Sequence, residues 1–171
     1  MTSTQSSAKG GYRKIIGWVL ALIGAVMLVS GAVAWTAVGS QLKAENMVVP
    51  GDATSNAGKA VTGPLTAWSM QETIAHHADT ATDGLSYADL GTVVNEAKEQ
   101  YGDDSPEASE AQGMRDLQMN ASFLRASIFT SILAFGVSLL VVGTGLSVLL
   151  TGTAFIAGSN KKAAEAEATS A

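Results

Sequence analysis

Two long segments without an ionisable side chain constrain this sequence more than any other feature. The first, Ile15–Val38, has 24 residues and the second, Ala126–Asn160, has 35. An α-helix rises about 1.5 Å per residue, so either segment exceeds the roughly 30 Å hydrocarbon thickness of a bilayer. Because a backbone in lipid must satisfy its own hydrogen bonds, each segment should cross as a helix. We therefore predict an all-α membrane protein built on a hairpin of two transmembrane helices.

The segment between the two apolar runs is polar and acidic. It carries 13 acidic residues against five basic ones, a net charge of −8. Its apolar residues are few and domains of this size are marginally stable alone, so we expect a small, mainly helical extracytoplasmic domain that leans on the membrane, the stem or a partner. The predicted segments are an N-terminal tail (1–14), the first span (15–38), the acidic domain (39–125, ending in a helical stem at 106–125), the second span (126–157) and a C-terminal tail (158–171).

Basic residues flank the outer ends of the two predicted spans. Lys and Arg near the ends of spans stay cytoplasmic, so both termini should lie in the cytoplasm and the acidic domain outside the plasma membrane. Trp18 and Trp35 are 17 residues apart, about 25 Å along a helix, which suits interfacial anchors. Arg125 is the one basic residue that opposes this orientation. The flanking residues are Lys9, Arg13, Lys14, Lys161 and Lys162.

A cleaved secretory signal is the alternative interpretation of the first apolar run. Ala32-Val33-Ala34 matches an A-x-A cleavage site after a basic start. The apolar stretch before it, Ile15–Gly31, has 17 residues, whereas signal cores usually have about 7–15. Retention as an anchor is favoured, and cleavage would still leave the second span in place.

Small residues recur every seven positions in both runs. A seven-residue repeat keeps its members near one helix face, with a drift of about 20° per repeat. Because lipid provides no hydrophobic drive for helix association, small residues that allow close backbone approach often mark packed faces. We predict a packing surface, either between the two spans or with another subunit; the alternative is that glycine is simply common in membrane helices. The residues are Gly10, Gly17, Gly24 and Gly31 in the first run and Ser131, Ser138, Gly145 and Gly152 in the second.

The first half of the acidic segment contains signals for a strand and a helix. Met47–Val49 reads as a short strand that ends at the turn pair Pro50-Gly51. Pro64 opens a helical pattern through about Ala78, with a capping box at Ser69 and Glu72 and an apolar face. The residues of that face are Leu65, Trp68 and Ile74.

Two further helices are predicted in the second half. Ser86 and Asp89 form a capping box before a short helix that reaches about Gln100. Ser105 suits an N-cap and Pro106 the first helical position, and no proline follows. The stem and the second span should therefore be one long helix.

Few residues suggest chemistry. Adjacent His76 and His77 are the only histidines, and neighbours on a helix point about 100° apart. Glu72 or Asp79 could pair with His76 on a metal, but a solvated helix end is favoured over a metal site or a pH-responsive site. The acidic cluster at the start of the stem lacks the spacing of a calcium loop. Its members are Asp103, Asp104, Glu107 and Glu110.

Other classes of site are also missing from the sequence. The chain has no cysteine, which excludes disulfides and thiolate metal sites. It has no glycine-rich phosphate loop or nucleophile elbow, and a pI near 4.9 argues against a nucleic-acid partner. We predict no catalytic residue, no cofactor and no bound metal.

Several short stretches carry a family resemblance. They are Met119–Ser131, Ala134–Val137, Gly58-Lys59 and Gly63–Ala67. Together they resemble a group of small actinobacterial membrane proteins described as aromatic ring-opening dioxygenase-related, over roughly Ile15–Leu150. The resemblance implies the same two-span topology and an actinobacterial source, but no known activity. Extradiol ring cleavage needs two histidines and a carboxylate on Fe(II), and this chain has only two adjacent histidines, so we regard the description as a misnomer here.

The function expected from these features is non-enzymatic. We expect an accessory, assembly or structural partner of a larger membrane or envelope complex, which contacts the bilayer and either another membrane protein or a second copy of itself. An extracytoplasmic sensing or binding module is the first alternative. A metal-dependent dioxygenase-type enzyme using His76 and His77 is the least favoured.

Overall fold

The computed structural model describes residues 4–170 and contains four helices, with no strand in that range. The chain divides into two compact units. We call residues 4–37 with 136–170 the helix-pair unit and Val38–Phe135 the middle unit. The helices are α1 (Thr4–Ala44), α2 (Pro64–Ala81), α3 (Tyr87–Tyr101) and α4 (Pro106–Ser170).

The two long helices extend beyond the predicted spans. Helix α1 has 41 residues and α4 has 65, and both are long and apolar enough to cross a membrane. The prediction of one long helix from Pro106 is confirmed, because α4 begins at Pro106 and continues to Ser170. Ser105 caps it: its Oγ accepts a hydrogen bond of 3.1 Å from the Ala108 N–H.

Helix α2 begins where Pro64 predicted, but the predicted capping box is wrong. Its cap is Gly63, whose N–H donates to Thr66 Oγ1 over 3.3 Å. Ser69 lies buried in the second turn, and its hydroxyl donates to the Leu65 carbonyl over 3.2 Å. The reason is that Pro64, with its φ already preset for a helix, starts α2 five residues before Ser69.

The capping box of α3 is confirmed. Ser86 Oγ accepts from the Asp89 N–H over 3.2 Å, and the Ser86 N–H donates to Asp89 Oδ2 over 3.1 Å. The helix then ends at Gly102, whose φ of +100° is accessible to glycine at little cost. Local sequence signals therefore determine both ends of α3.

The predicted strand at Met47–Val49 is wrong. Val48 and Ala60 form only an isolated antiparallel bridge, flanked by two backbone hydrogen bonds of 2.9 Å. Pairing stops there because a turn begins at Pro50, whose carbonyl accepts a hydrogen bond of 3.2 Å from the Ala53 N–H. The apolar residues are still used, since Val49 is completely buried.

The core of the middle unit is built on both long helices. Helix α4 contributes Ile128, Ile132 and Phe135, which all lie in the uncharged run that the sequence assigned to the second span. One face of the first ten residues of that run therefore packs in the protein core. The remaining core residues are Val38, Leu42, Met47, Val49, Ala53, Val61, Ala67, Met70 and Ile74.

Candidate functional site

The closest contact in the helix-pair unit is between glycines of α1 and α4. A Cβ added to Gly24 would lie 2.5 Å from the Leu149 nitrogen and 2.7 Å from the Gly145 carbonyl oxygen. Real Cβ atoms essentially never approach another heavy atom within 3.0 Å. The two backbones therefore touch at a point where even alanine does not fit without a shift.

The same contact recurs every seven residues along α1. A Cβ on Gly17 would lie 2.9 Å from the Gly152 carbonyl oxygen, and one on Gly31 would lie 3.0 Å from that of Ser138. Residue numbers fall along α4 as they rise along α1, so the helices run antiparallel at this contact. We call these residues, together with Gly24 and Gly145, the glycine seam.

Two glycine pairs in the seam approach each other reciprocally. A Cβ on Gly145 would lie 3.0 Å from the Gly24 oxygen, and one on Gly152 would lie 2.7 Å from the Gly17 oxygen. The missing Cβ is replaced by a Cα hydrogen, which points at the opposite carbonyl. Such Cα–H···O contacts contribute about 0.5–1 kcal/mol each, so the seam combines dispersion with weak hydrogen bonds.

Not every glycine of α4 belongs to the seam. A Cβ on Gly136, Gly143 or Gly158 would meet no atom within 4 Å. A general abundance of glycine in membrane helices does not explain why some glycines of α4 contact α1 and others do not. Of the other predicted packing residues, Ser131 lies half-buried in the middle unit, and the surroundings of Gly10 lie outside the described part of the chain.

The outer faces of the helix pair are apolar and exposed. Only 22% of the most apolar window of α1 and 17% of that of α4 are buried. Val26, Val29 and Val33 line a shallow apolar groove of about 550 Å³ on α1. Large side chains therefore point outward while the smallest residues point inward.

Within the helix-pair unit, the basic residues lie at one end. The Arg13 guanidinium is 5.9 Å from the centre of the Phe155 ring, and Lys161 follows six residues later. Trp18 is exposed near this end, and Trp35 is partly exposed 17 residues further along α1. This arrangement resembles that of interfacial anchors and cytoplasmic charges in membrane helices.

The histidines lie in the middle unit at the exposed end of α2. His77 Nε2 is 2.7 Å from Asp52 Oδ2, and this hydrogen bond is the main cause that lowers the pKa of Asp52. The His76 ring centre is 6.2 Å from that of His77. The described residues contain no group of three or more His, Cys, Asp or Glu side chains placed to hold a metal ion.

An exposed apolar patch at the start of α2 was missed in the sequence. Leu65 is 76% exposed and Trp68 44%, while Ile74 packs on the core. The Trp68 and Phe129 ring centres are 6.4 Å apart with a tilt of 54°. Helical periodicity grouped Leu65 and Trp68 with Ile74, but it could not tell that the first two lie outside the core.

Comparisons with known proteins give no further assignment: no family model, curated protein or solved structure matches this chain.

Proposed function

We propose that this chain is a two-span plasma-membrane protein that acts as an accessory or assembly partner in a larger membrane or envelope complex. The observation that carries the proposal is the distribution of residues in the helix pair. Glycines lie in the contact between α1 and α4, and large apolar side chains lie on the outer surface. The middle unit would form the extracytoplasmic domain between the spans. Both termini would be cytoplasmic.

The exposed apolar surface supports a lipid environment. Apolar surface in water costs about 25 cal/mol per Å², and soluble monomers rarely expose patches larger than a few hundred Å². Leu22, Leu140 and Leu150 are examples of side chains on α1 and α4 that are more than half exposed. In hydrocarbon these side chains would carry no such penalty.

The lengths of the helix-pair unit support specific span boundaries. We propose spans at 15–37 on α1 and 136–157 on α4, which at about 1.5 Å per residue are each a little over 30 Å long. The α4 span would thus begin ten residues later than the uncharged run, because residues 126–135 contribute to the core of the middle unit. Arg13 and Lys161 would then flank the cytoplasmic ends.

The glycine seam favours retention of the first span over cleavage as a signal. Gly17, Gly24 and Gly31 all contact α4 at distances that leave no room for a Cβ. Cleavage after Ala34 would remove all three from the protein. It would leave Gly145 and Gly152 without partners in this chain.

The non-enzymatic role rests on chemistry. A ring-cleaving iron site needs two histidines and a carboxylate around one ion. His77 bonds to Asp52 instead, and both side chains are exposed on the middle unit. Neither uncharged run carries an ionisable residue, which transporters and proton relays usually place at mid-membrane. The resemblance to actinobacterial two-span proteins is part of this proposal and implies the same topology.

Purification from native membranes in mild detergent, followed by native mass spectrometry, tests the role. We expect a stoichiometric complex with a membrane or envelope protein that is absent when an untagged chain is processed identically. A chain that always runs as a solitary monomer would contradict an accessory role. His76→Ala/His77→Ala should keep the full cellular phenotype; loss of phenotype with an intact fold would favour the enzyme alternative.

A further inference from the structure

We propose that the start of α2 is a second membrane contact: Leu65 and Trp68 insert into the interfacial region of the outer leaflet. This inference rests on the proposed two-span topology. It concerns a surface outside the glycine seam, and its occupant is the lipid of the bilayer that the chain itself spans.

The first step concerns where α2 begins relative to the proposed ends of the two spans. A Cβ added to Gly39 would lie 3.2 Å from the Thr62 carbonyl oxygen and 4.0 Å from Phe135 Cζ. Gly39 directly follows the predicted first span (15–38), and Phe135 directly precedes the proposed span of α4. The segment that leads into Pro64 therefore packs where both long helices would leave the hydrocarbon.

The second step is the continuity of apolar surface within the middle unit. Leu65 and Trp68 are one helical turn apart and share a side of α2. Trp68 contacts Phe129, itself exposed and part of the uncharged run of α4. We call Leu65, Trp68 and Phe129 the α2 patch. The patch therefore continues the apolar surface of the uncharged run of α4 on to α2.

The third step is the chemistry around the patch. Trp is enriched at membrane interfaces, where its ring is buried and its N–H stays hydrated. Asn56 Nδ2 lies 3.5 Å from the Leu65 carbonyl oxygen, and Lys59 Nζ donates to Asn56 Oδ1 over 3.1 Å. An ammonium group thus lies close to the patch, although the middle unit is strongly acidic overall. A cation beside apolar residues fits a phosphate-bearing lipid surface.

The absence of cysteine from this chain gives a direct test. Full-length Leu65→Cys is reconstituted in phosphatidylcholine vesicles and carries a nitroxide label, whose collision rates with oxygen and with a polar nickel chelate are measured. Thr80→Cys, an exposed site in the last turns of α2, is the matched control. Because oxygen enters the apolar phase and the chelate does not, we expect an oxygen-to-nickel ratio about threefold higher at position 65 than at position 80.

A third site separates failure of this inference from failure of the topology. Val26→Cys lies on the exposed face of α1 within the proposed span and should give the highest ratio. Equal ratios at positions 65 and 80, with a lipid-like ratio at 26, would overturn the membrane contact of α2 alone. A water-like ratio at position 26 would overturn both. A label at position 65 that is accessible in vesicles and protected only in native membranes would also overturn the inference, since a protein would then cover the patch.

Discussion

At some glycines of the α1–α4 contact there is no room for even one added methyl group, whereas neighbouring glycines have open space. Gly143 and Gly145 lie on the same helix two residues apart, yet only Gly145 faces α1. Overpacking a close contact commonly costs about 1–3 kcal/mol, and more when backbones must separate. The seam therefore offers a matched pair of positions with opposite expectations.

We predict that Gly145→Leu destabilises the helix pair by at least about 2 kcal/mol, because its Cβ alone would lie 2.8 Å from Met27 Cβ. Gly143→Leu should change stability by less than about 0.5 kcal/mol, since nothing lies within 4 Å of its Cβ. Thermal unfolding of both variants in the same detergent measures the difference. Equal melting temperatures would show that the seam is not a packed contact.

The Asp52–His77 hydrogen bond predicts a pH dependence. His77 holds the pKa of Asp52 below the ordinary value of 3.8, so the bond contributes stability above that pH and loses it as the pH falls through the lowered pKa. His77→Ala should return the Asp52 pKa towards 3.8, whereas His76→Ala should move it much less. NMR titration of the Asp52 carboxyl checks this, and an unchanged Asp52 pKa in His77→Ala would contradict it.

Among single residues, the sequence could predict the seam's members more readily than the surroundings of Leu65 and Trp68. Seven-residue spacing keeps small residues near one helix face, where they allow the close backbone approach that packed membrane helices use. An apolar helix face is ambiguous, because the same periodicity serves a protein core, a lipid surface or a partner. Ile74 packs on the core, whereas Leu65 and Trp68 are exposed.

At the scale of elements, the ends of α3 depend on local hydrogen bonds. Ser86→Ala should destabilise the middle unit by about 1 kcal/mol, because the Asp89 N–H loses its acceptor. Thr80→Ala is the control, since that hydroxyl only donates to the His76 carbonyl within α2. Amide hydrogen exchange of the first turn of α3 reports the effect. Unchanged protection there in Ser86→Ala would show that the cap is dispensable.

The division of α4 between protein core and lipid gives a prediction at two matched exposed sites. Phe123 is 66% exposed and Leu140 is 68% exposed, but only Leu140 lies in the proposed span. A membrane-impermeant maleimide should label Phe123→Cys on intact cells and leave Leu140→Cys unlabelled. Denaturation of the protein should then allow labelling of position 140. Labelling of both sites before denaturation would move the span elsewhere on α4.

Local signals predicted the elements unevenly. The cap at Ser105, the capping box at Ser86 and the unbroken run after Pro106 predicted α3 and α4 closely, because each signal acts within one turn. The predicted strand at Met47–Val49 is wrong because pairing depends on a partner distant in sequence, and the turn at Pro50 leaves only a bridge. The use of residues 126–135 in a core could not be predicted, since an uncharged run fits protein and lipid equally.

At the scale of the whole molecule, one chain contains a helix pair packed through glycines and an acidic middle unit, to whose core both long helices contribute residues. The helix pair would cross the bilayer with its basic end inside, and the net charge of −8 between the runs would lie outside. Placement in the membrane and association with a partner are the proposed contribution of the molecule.

The most direct test of the central claim is the sidedness of two unique cysteines in this cysteine-free chain. Tyr101→Cys is exposed in the middle unit, and Ala164→Cys is exposed on α4 beyond Lys162. On intact cells we expect an impermeant maleimide to label position 101, and to label position 164 only after permeabilisation. Labelling of position 164 on intact cells, with position 101 protected until permeabilisation, would contradict the proposed topology.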